Sequence, residues 1–225
     1  MKIPFFGKKP PAITDPVAHA GAHCGKTFRV VRTSGAWDAY ATYHCTHDFT
    51  KMDGGYSRHC GPTAVVNLLK TMENRDPDPD RRVSESPKAA FRHIAAIGLK
   101  KHYYINADLL GGLIGGTFNP ALRAYLRASL ARFHRGGVKI SRAKPAWRRL
   151  LMDATDRGSL LYLALVFHPL YGNHHVIGYG TVLLEASDGT RRLYVRVADG
   201  WNAAPRYLAA ADLRLSHFLE ISPDC

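Results

Sequence analysis

The sequence predicts an α+β fold on three observations: helical patterning after residue 60, strand-like patterning in the last third, and no βαβ alternation between them. With 225 residues, 46% of them hydrophobic, the chain can bury one sizeable core. We expect a single domain over residues 18–225, preceded by a flexible N-terminal arm over residues 1–17.

The arm is expected because the opening residues are rich in Pro and Lys and lack periodicity. From Ala18 to His59, Trp37, Tyr40 and Tyr43 stand among Gly, Thr and Asp, which suggests loops and short strands. The first firm helix follows Cys60. Gly61-Pro62 fits a helix start, since proline at the first helical position loses only an N–H that had no partner. Ala64, Val65, Leu68, Leu69 and Met72 then form one apolar stripe, with Asn67, Lys70 and Glu73 off it, to about Glu73.

Between Pro87 and Leu151 the pattern is mostly helical, carried by Phe91, Ile94 and Ala95, then Leu122, Tyr125, Leu126 and Leu130, then Trp147, Leu150 and Leu151. The run Gly111 to Gly116 has neither the GxGxxG spacing nor a Walker lysine, so it reads as a loop. Arg123, Arg127, Arg132 and Arg135 read as a solvated basic flank. In the last third, Leu160–Phe167 and His174–Leu184 are apolar runs, and Leu193, Val195 and Val197 alternate with Tyr194 and Arg196. These are strands, with Ala186-Ser187-Asp188-Gly189 as the turn joining the last two.

Composition narrows the functional classes. No run reaches the roughly 18 apolar residues of a membrane helix, and the N-terminus lacks the apolar run of about 7–15 residues of a secretion signal. A cytoplasmic location is the expectation, with export by another route open. Four cysteines (Cys24, Cys45, Cys60 and Cys225) are too sparse for a disulfide scaffold and should be free thiols. The net charge of +13 favours anionic partners, but no nucleic-acid motif accompanies it.

The chemistry centres on Cys60. A thiolate just before a helix N-terminus is favoured by unpaired N–H groups and the positive dipole end, and a nearby imidazolium favours it further. A lone cysteine is more often a buried structural thiol. Here Asn173-His174-His175 stands where an apolar strand leaves a Pro-Leu-Tyr-Gly loop, a place that suits imidazoles facing a cleft. In an antiparallel hairpin the midpoint of His174 and Asp199 falls between Ala186 and Ser187, so the carboxylate should reach the imidazole and fix its tautomer.

Cys60-Gly61-Pro62-Thr63-Ala64 with Asn67 resembles the nucleophile motif of bacterial papain-like cysteine peptidases, the branch that includes the bacteriocin-leader-processing peptidases. His174-His175-Val176-Ile177-Gly178-Tyr179-Gly180 is similar to the family's catalytic strand. A glycine six positions after the histidine selects His174 through Gly180, with His175 as the alternative base. Asp199-Gly200-Trp201 is similar to the third-residue motif, its tryptophan shielding the pair from water. The resemblance covers about a third of the chain, in the family's order. It implies a papain-like fold, with the nucleophile helix packed against an antiparallel sheet and a helical segment between cysteine and histidine. It also implies a peptidase acting on a peptide or protein through Cys60, His174 and Asp199, with no cofactor or metal.

One departure is plain. The family's oxyanion glutamine would stand at Gly54, and the chain contains no glutamine. The backbone N–H of Cys60 could supply one donor, and Ser57, Tyr56 or His59 another; loss of one such donor costs roughly 10²–10³ in rate. A catalytically silent peptide-binding domain and a Cys-His-Asp acyl transferase therefore stay open. A zinc module is a further rival, from His19, His23 and Cys24, then His44, Cys45 and His47, then His59 and Cys60, although their spacing forms no complete tetrahedral set.

Overall fold

The computed structural model describes residues 12–35, 60–76, 78, 85–100, 120–133 and 137–223. They form a mixed α and β fold with an antiparallel sheet. In chain order the elements are α1 (Pro16–Cys24), β1 (Phe28–Ser34), α2 (Cys60–Arg75), α3 (Pro87–Lys100), α4 (Pro120–Phe133), β2 (Val138–Ile140), β3 (Lys144–Pro145), α5 (Arg148–Asp156), β4 (Leu160–His168), β5 (Gly172–Ala186), β6 (Arg191–Ala198), β7 (Arg206–Ala209), a 3-10 turn over Ala210–Leu213, and β8 (His217–Pro223).

The end of the expected arm is docked. Ile13 bridges Tyr207, and Asp15 caps α1 by accepting from the N–H of Val17 at 2.8 Å and of Ala18 at 3.2 Å. Residues 1–11 of the arm lie outside the described residues. The chain leaves β1 through Gly35, where a Cβ would come within 2.3 Å of the Tyr179 carbonyl oxygen, so only glycine fits.

The strands run in the order β2-β8-β4-β5-β6-β7, with β1 also on β5 and β3 also on β8. Long β5 carries the organisation. Its first half pairs β4 and its second half β1. Alternation along it separates two cores. Ile177 and Tyr179, with Leu160, Tyr162, Leu219 and Ile221, pack against α2, α3 and α4. Val176, with Leu161, Leu163, Val195, Val197 and Phe218, packs on the other face with Leu151 and Ala154 of α5.

Helix α2 is more central than its apolar stripe predicts. Val65, Val66, Leu68, Leu69 and Met72 are buried, each such side chain contributing about 1.5–3 kcal/mol, but so are Asn67 and Glu73, which the periodicity put off the stripe. The difference arises because α3, α4 and β5 all pack on α2, leaving little outer face. Lys70 answers the buried charge by donating from Nζ to Glu73 Oε2 at 2.7 Å.

The hairpin register also departs from expectation. Its innermost pair is Glu185↔Arg191, and the turn is closed by Ala186 N donating to Thr190 O and Gly189 N donating to Ala186 O, both at 2.9 Å. A bulge between Gly178 and Gly180 then shifts the pairing, so that Ile177 faces Ala198 and Gly178 faces Val197. The turn is centred on Asp188 rather than between Ala186 and Ser187, which carries Asp199 past the place opposite His174, and the bulge takes back only part of that offset.

Candidate active site

Cys60 is the first residue of α2, is not in a disulfide and is partly exposed, while the helix behind it from Gly61 to Leu69 is buried. A thiol so placed meets the unpaired N–H groups of the first turn while solvent reaches it.

His174 and His175 enter the sheet at the start of β5, paired with Leu165 and Ala164 of β4. Successive residues of a strand point to opposite faces. His174 therefore shares a face with Leu165 and Val176, and His175 shares one with Tyr162 and Ile177, the face that α2 covers. The two imidazoles stand in different surroundings.

His174 sits in a polar, aromatic cluster. Its Nε2 lies 2.7 Å from the main-chain oxygen of Asp199. A carbonyl oxygen only accepts, so Nε2 carries the proton and the neutral ring keeps its lone pair on Nδ1. Tyr171 stacks on the ring at 5.5 Å with an interplanar angle of 7°, and Trp201 lies against it at 4.6 Å.

Asp199 lies just past the end of β6 and is fully buried. Its Oδ1 accepts from the N–H of Trp201 and of Asn202, both at 2.9 Å, an Asx turn that Gly200 permits at φ +70°. Its Oδ2 accepts from the Tyr171 hydroxyl at 2.7 Å and from Asn202 Nδ2 at 2.6 Å. Arg206 Nη2 donates in turn to Asn202 Oδ1 at 3.0 Å. Among the described residues these four donors fill the carboxylate, and none of them is an imidazole. The expected carboxylate-to-imidazole contact is thus replaced by a main-chain one. Burial first, then the charge and hydrogen bond of Asp199, raise the Tyr171 phenol far above its ordinary range, so it remains a donor.

His175 differs on each count. It is buried, lies 5.4 Å from the Tyr162 ring, and has its pKa pushed down to about 3 by burial and, secondarily, by His174. It is neutral at ordinary pH and a weak base.

The Asp199-Gly200-Trp201 loop approaches α2 at Gly200, where a Cβ would lie 3.4 Å from Thr63 Cγ2 in the first turn of that helix. Trp201 packs against Tyr171 and His174, as a shielding residue would. Of the oxyanion candidates, Tyr56, Ser57 and His59 lie outside the described residues, as do His44, Cys45 and His47. His19 stacks on His23 at 4.5 Å, and its Nδ1 lies 2.9 Å from the Tyr194 hydroxyl. Among the described residues no group of three or more His, Cys, Asp or Glu is placed to hold a metal ion, and no helix is long and apolar enough to cross a membrane. Tyr171, Asn202 and Arg206 were not singled out by the sequence. Tyr171 carried the one usable signal, a buried-type aromatic three residues before His174 in the loop leading to it.

The fold and site together define an α+β protein with a partly exposed thiol at a helix start and, beside that helix, a buried His-Asp-Tyr cluster flanked by a half-buried tryptophan. No family model and no curated protein matches the chain.

Proposed function

We propose that this chain is a papain-like cysteine peptidase of the bacterial branch related to the bacteriocin-leader-processing peptidases, cleaving a peptide or protein substrate in a reducing, cytoplasmic setting. The supporting observation is the close approach of Gly200 to Thr63, which puts the Asp199-Gly200-Trp201 loop near the first turn of α2, three residues from Cys60.

In this mechanism the Cys60 thiolate attacks the amide carbonyl, the C–N bond breaks, and His174 passes its proton to the departing amine. A thioester joins Cys60 to the acyl part of the substrate. His174 then takes a proton from water, whose oxygen attacks the thioester and frees the acid and the thiol. Asp199 holds the imidazole through its carbonyl oxygen, while its carboxylate, fixed by Tyr171 and Asn202, holds the loop. His174 is preferred as base over His175 because its tautomer is fixed and because a pKa near 3 leaves His175 little affinity for a thiol proton.

Strand alternation favours a second reading, a catalytically silent peptide-binding domain, since His174 shares its face with Val176 rather than with α2. Iodoacetamide labelling at neutral pH, read by peptide mass, separates the two. An enzyme labels at Cys60 well ahead of Cys24, and Cys60→Ala abolishes turnover without loss of fold. A silent domain labels at both alike.

A further inference from the structure

Among the described residues five large apolar side chains are exposed: Val30, Val31, Trp147, Phe167 and Leu215. The backbone segments that carry the last three converge at one end of the sheet. Ser216, itself buried, is the junction: its carbonyl accepts from Ala146 N at 2.9 Å and its Oγ from Val166 N at 3.3 Å. The ladders lead to the same place, with Pro145↔His217 on one side of β8 and Ala164↔His217 on the other. One residue outward, Trp147, Leu215 and Phe167 stand across that end, 64%, 58% and 68% exposed.

The arrangement is maintained against local cost. Phe167 has φ +50°, the left-handed region that a bulky residue rarely adopts, inside the irregularity between Leu165 and His168. Asn173 holds it there, its Oδ1 accepting from Phe167 N at 3.0 Å. Isolated exposed apolar residues are ordinary on a protein surface, whereas three gathered at one end mark a contact.

Charge identifies the partner. Exposed Arg142, Arg148, Arg149 and Arg214 flank the three residues in sequence. The nearby acids are Asp153, whose Oδ2 lies 3.8 Å from Arg149 Nε, and Asp212, so cations prevail. The whole chain carries +13. The apolar residues belong to three separate segments: the residue before α5, the end of β4, and the segment before β8. Protruding Trp, Phe and Leu with an arginine collar suit the boundary between lipid headgroups and acyl chains, where indole sits favourably and guanidinium meets phosphate. A peptide side chain would instead need a concave pocket.

We propose that Trp147, Phe167 and Leu215, with Arg148, Arg149 and Arg214, form a peripheral docking surface for an anionic lipid bilayer. The surface does not depend on the peptidase reading. It needs no spanning segment, since shallow burial of apolar tips adds to attraction by the lipid charge.

Co-sedimentation of the full chain with vesicles tests it. Phosphatidylcholine vesicles containing phosphatidylserine should carry the protein down, and pure phosphatidylcholine should do so poorly. The combined variant Trp147→Ser, Phe167→Ser and Leu215→Ser should lose about tenfold or more of the partitioning at unchanged net charge. Its circular dichroism should match the parent, because all three side chains are already in solvent. The pair Arg148→Glu and Arg214→Glu should give a comparable loss. No sedimentation with phosphatidylserine at low salt would overturn the proposal. So would full retention by the apolar variant, or capture at this patch of an acidic amphipathic peptide in preference to vesicles.

Discussion

The two faces of β5 treat neighbouring, chemically identical residues differently. On one face His174 stacks on Tyr171, has Trp201 tilted against it, and donates to a main-chain oxygen. On the other His175 is packed beside Tyr162 among residues that α2 covers, with its pKa depressed to about 3. One step along a pleated strand thus separates an imidazole held on a main-chain oxygen from a desolvated one.

The largest consequence of this contrast concerns pH. The folded pKa of His175 is lowered, so on acidification the unfolded chain takes up a proton from about pH 6.5 that the native protein refuses until about pH 3. Stability is complete above pH 6.5 and falls as pH drops through that window, by up to about 5 kcal/mol from this group. Burial also lowers the pKa of His168, with the same sign. Urea denaturation across pH should show His175→Phe flattening the dependence, and an unchanged slope would contradict the desolvated account of this face.

On the opposite face Asp199→Asn gives an intermediate effect. The main-chain oxygen that holds His174 is kept, but an amide nitrogen now meets groups that donated to a carboxylate. Stability should fall by about 1–3 kcal/mol while the reactivity of Cys60 changes little. A rate loss near 10⁴ would instead point to a carboxylate-to-imidazole contact. The smallest effect is expected at the rim, where Phe167→Gly relieves a positive φ and should be neutral or stabilise by about 0.5–1 kcal/mol in thermal melts.

How much of this was legible differs by element. Helix α2 and strands β4 to β6 were readable because their apolar runs are long and their turn is rich in Ser, Asp and Gly. Strands β2 and β3, inside a stretch that reads as helical, are too short to show a period; each exists because β8 offers an edge. The clustering of His174, Asp199 and Trp201 was legible as an association of motifs. The way Asp199 touches His174 was not. It depends on a turn centred on Asp188 and on a bulge at Gly178–Gly180 that partly offsets it, and each changes the register without altering the hydrophobic pattern.

The central claim, that His174 rather than His175 activates the Cys60 thiol, is tested most directly by the pH dependence of Cys60 alkylation in the parent, His174→Ala and His175→Phe. The account predicts a parent thiolate well below the ordinary thiol pKa of about 8.5, a rise toward that value in His174→Ala, and little change in His175→Phe. A parent profile already at the ordinary value, or one that moves only with His175, would contradict it.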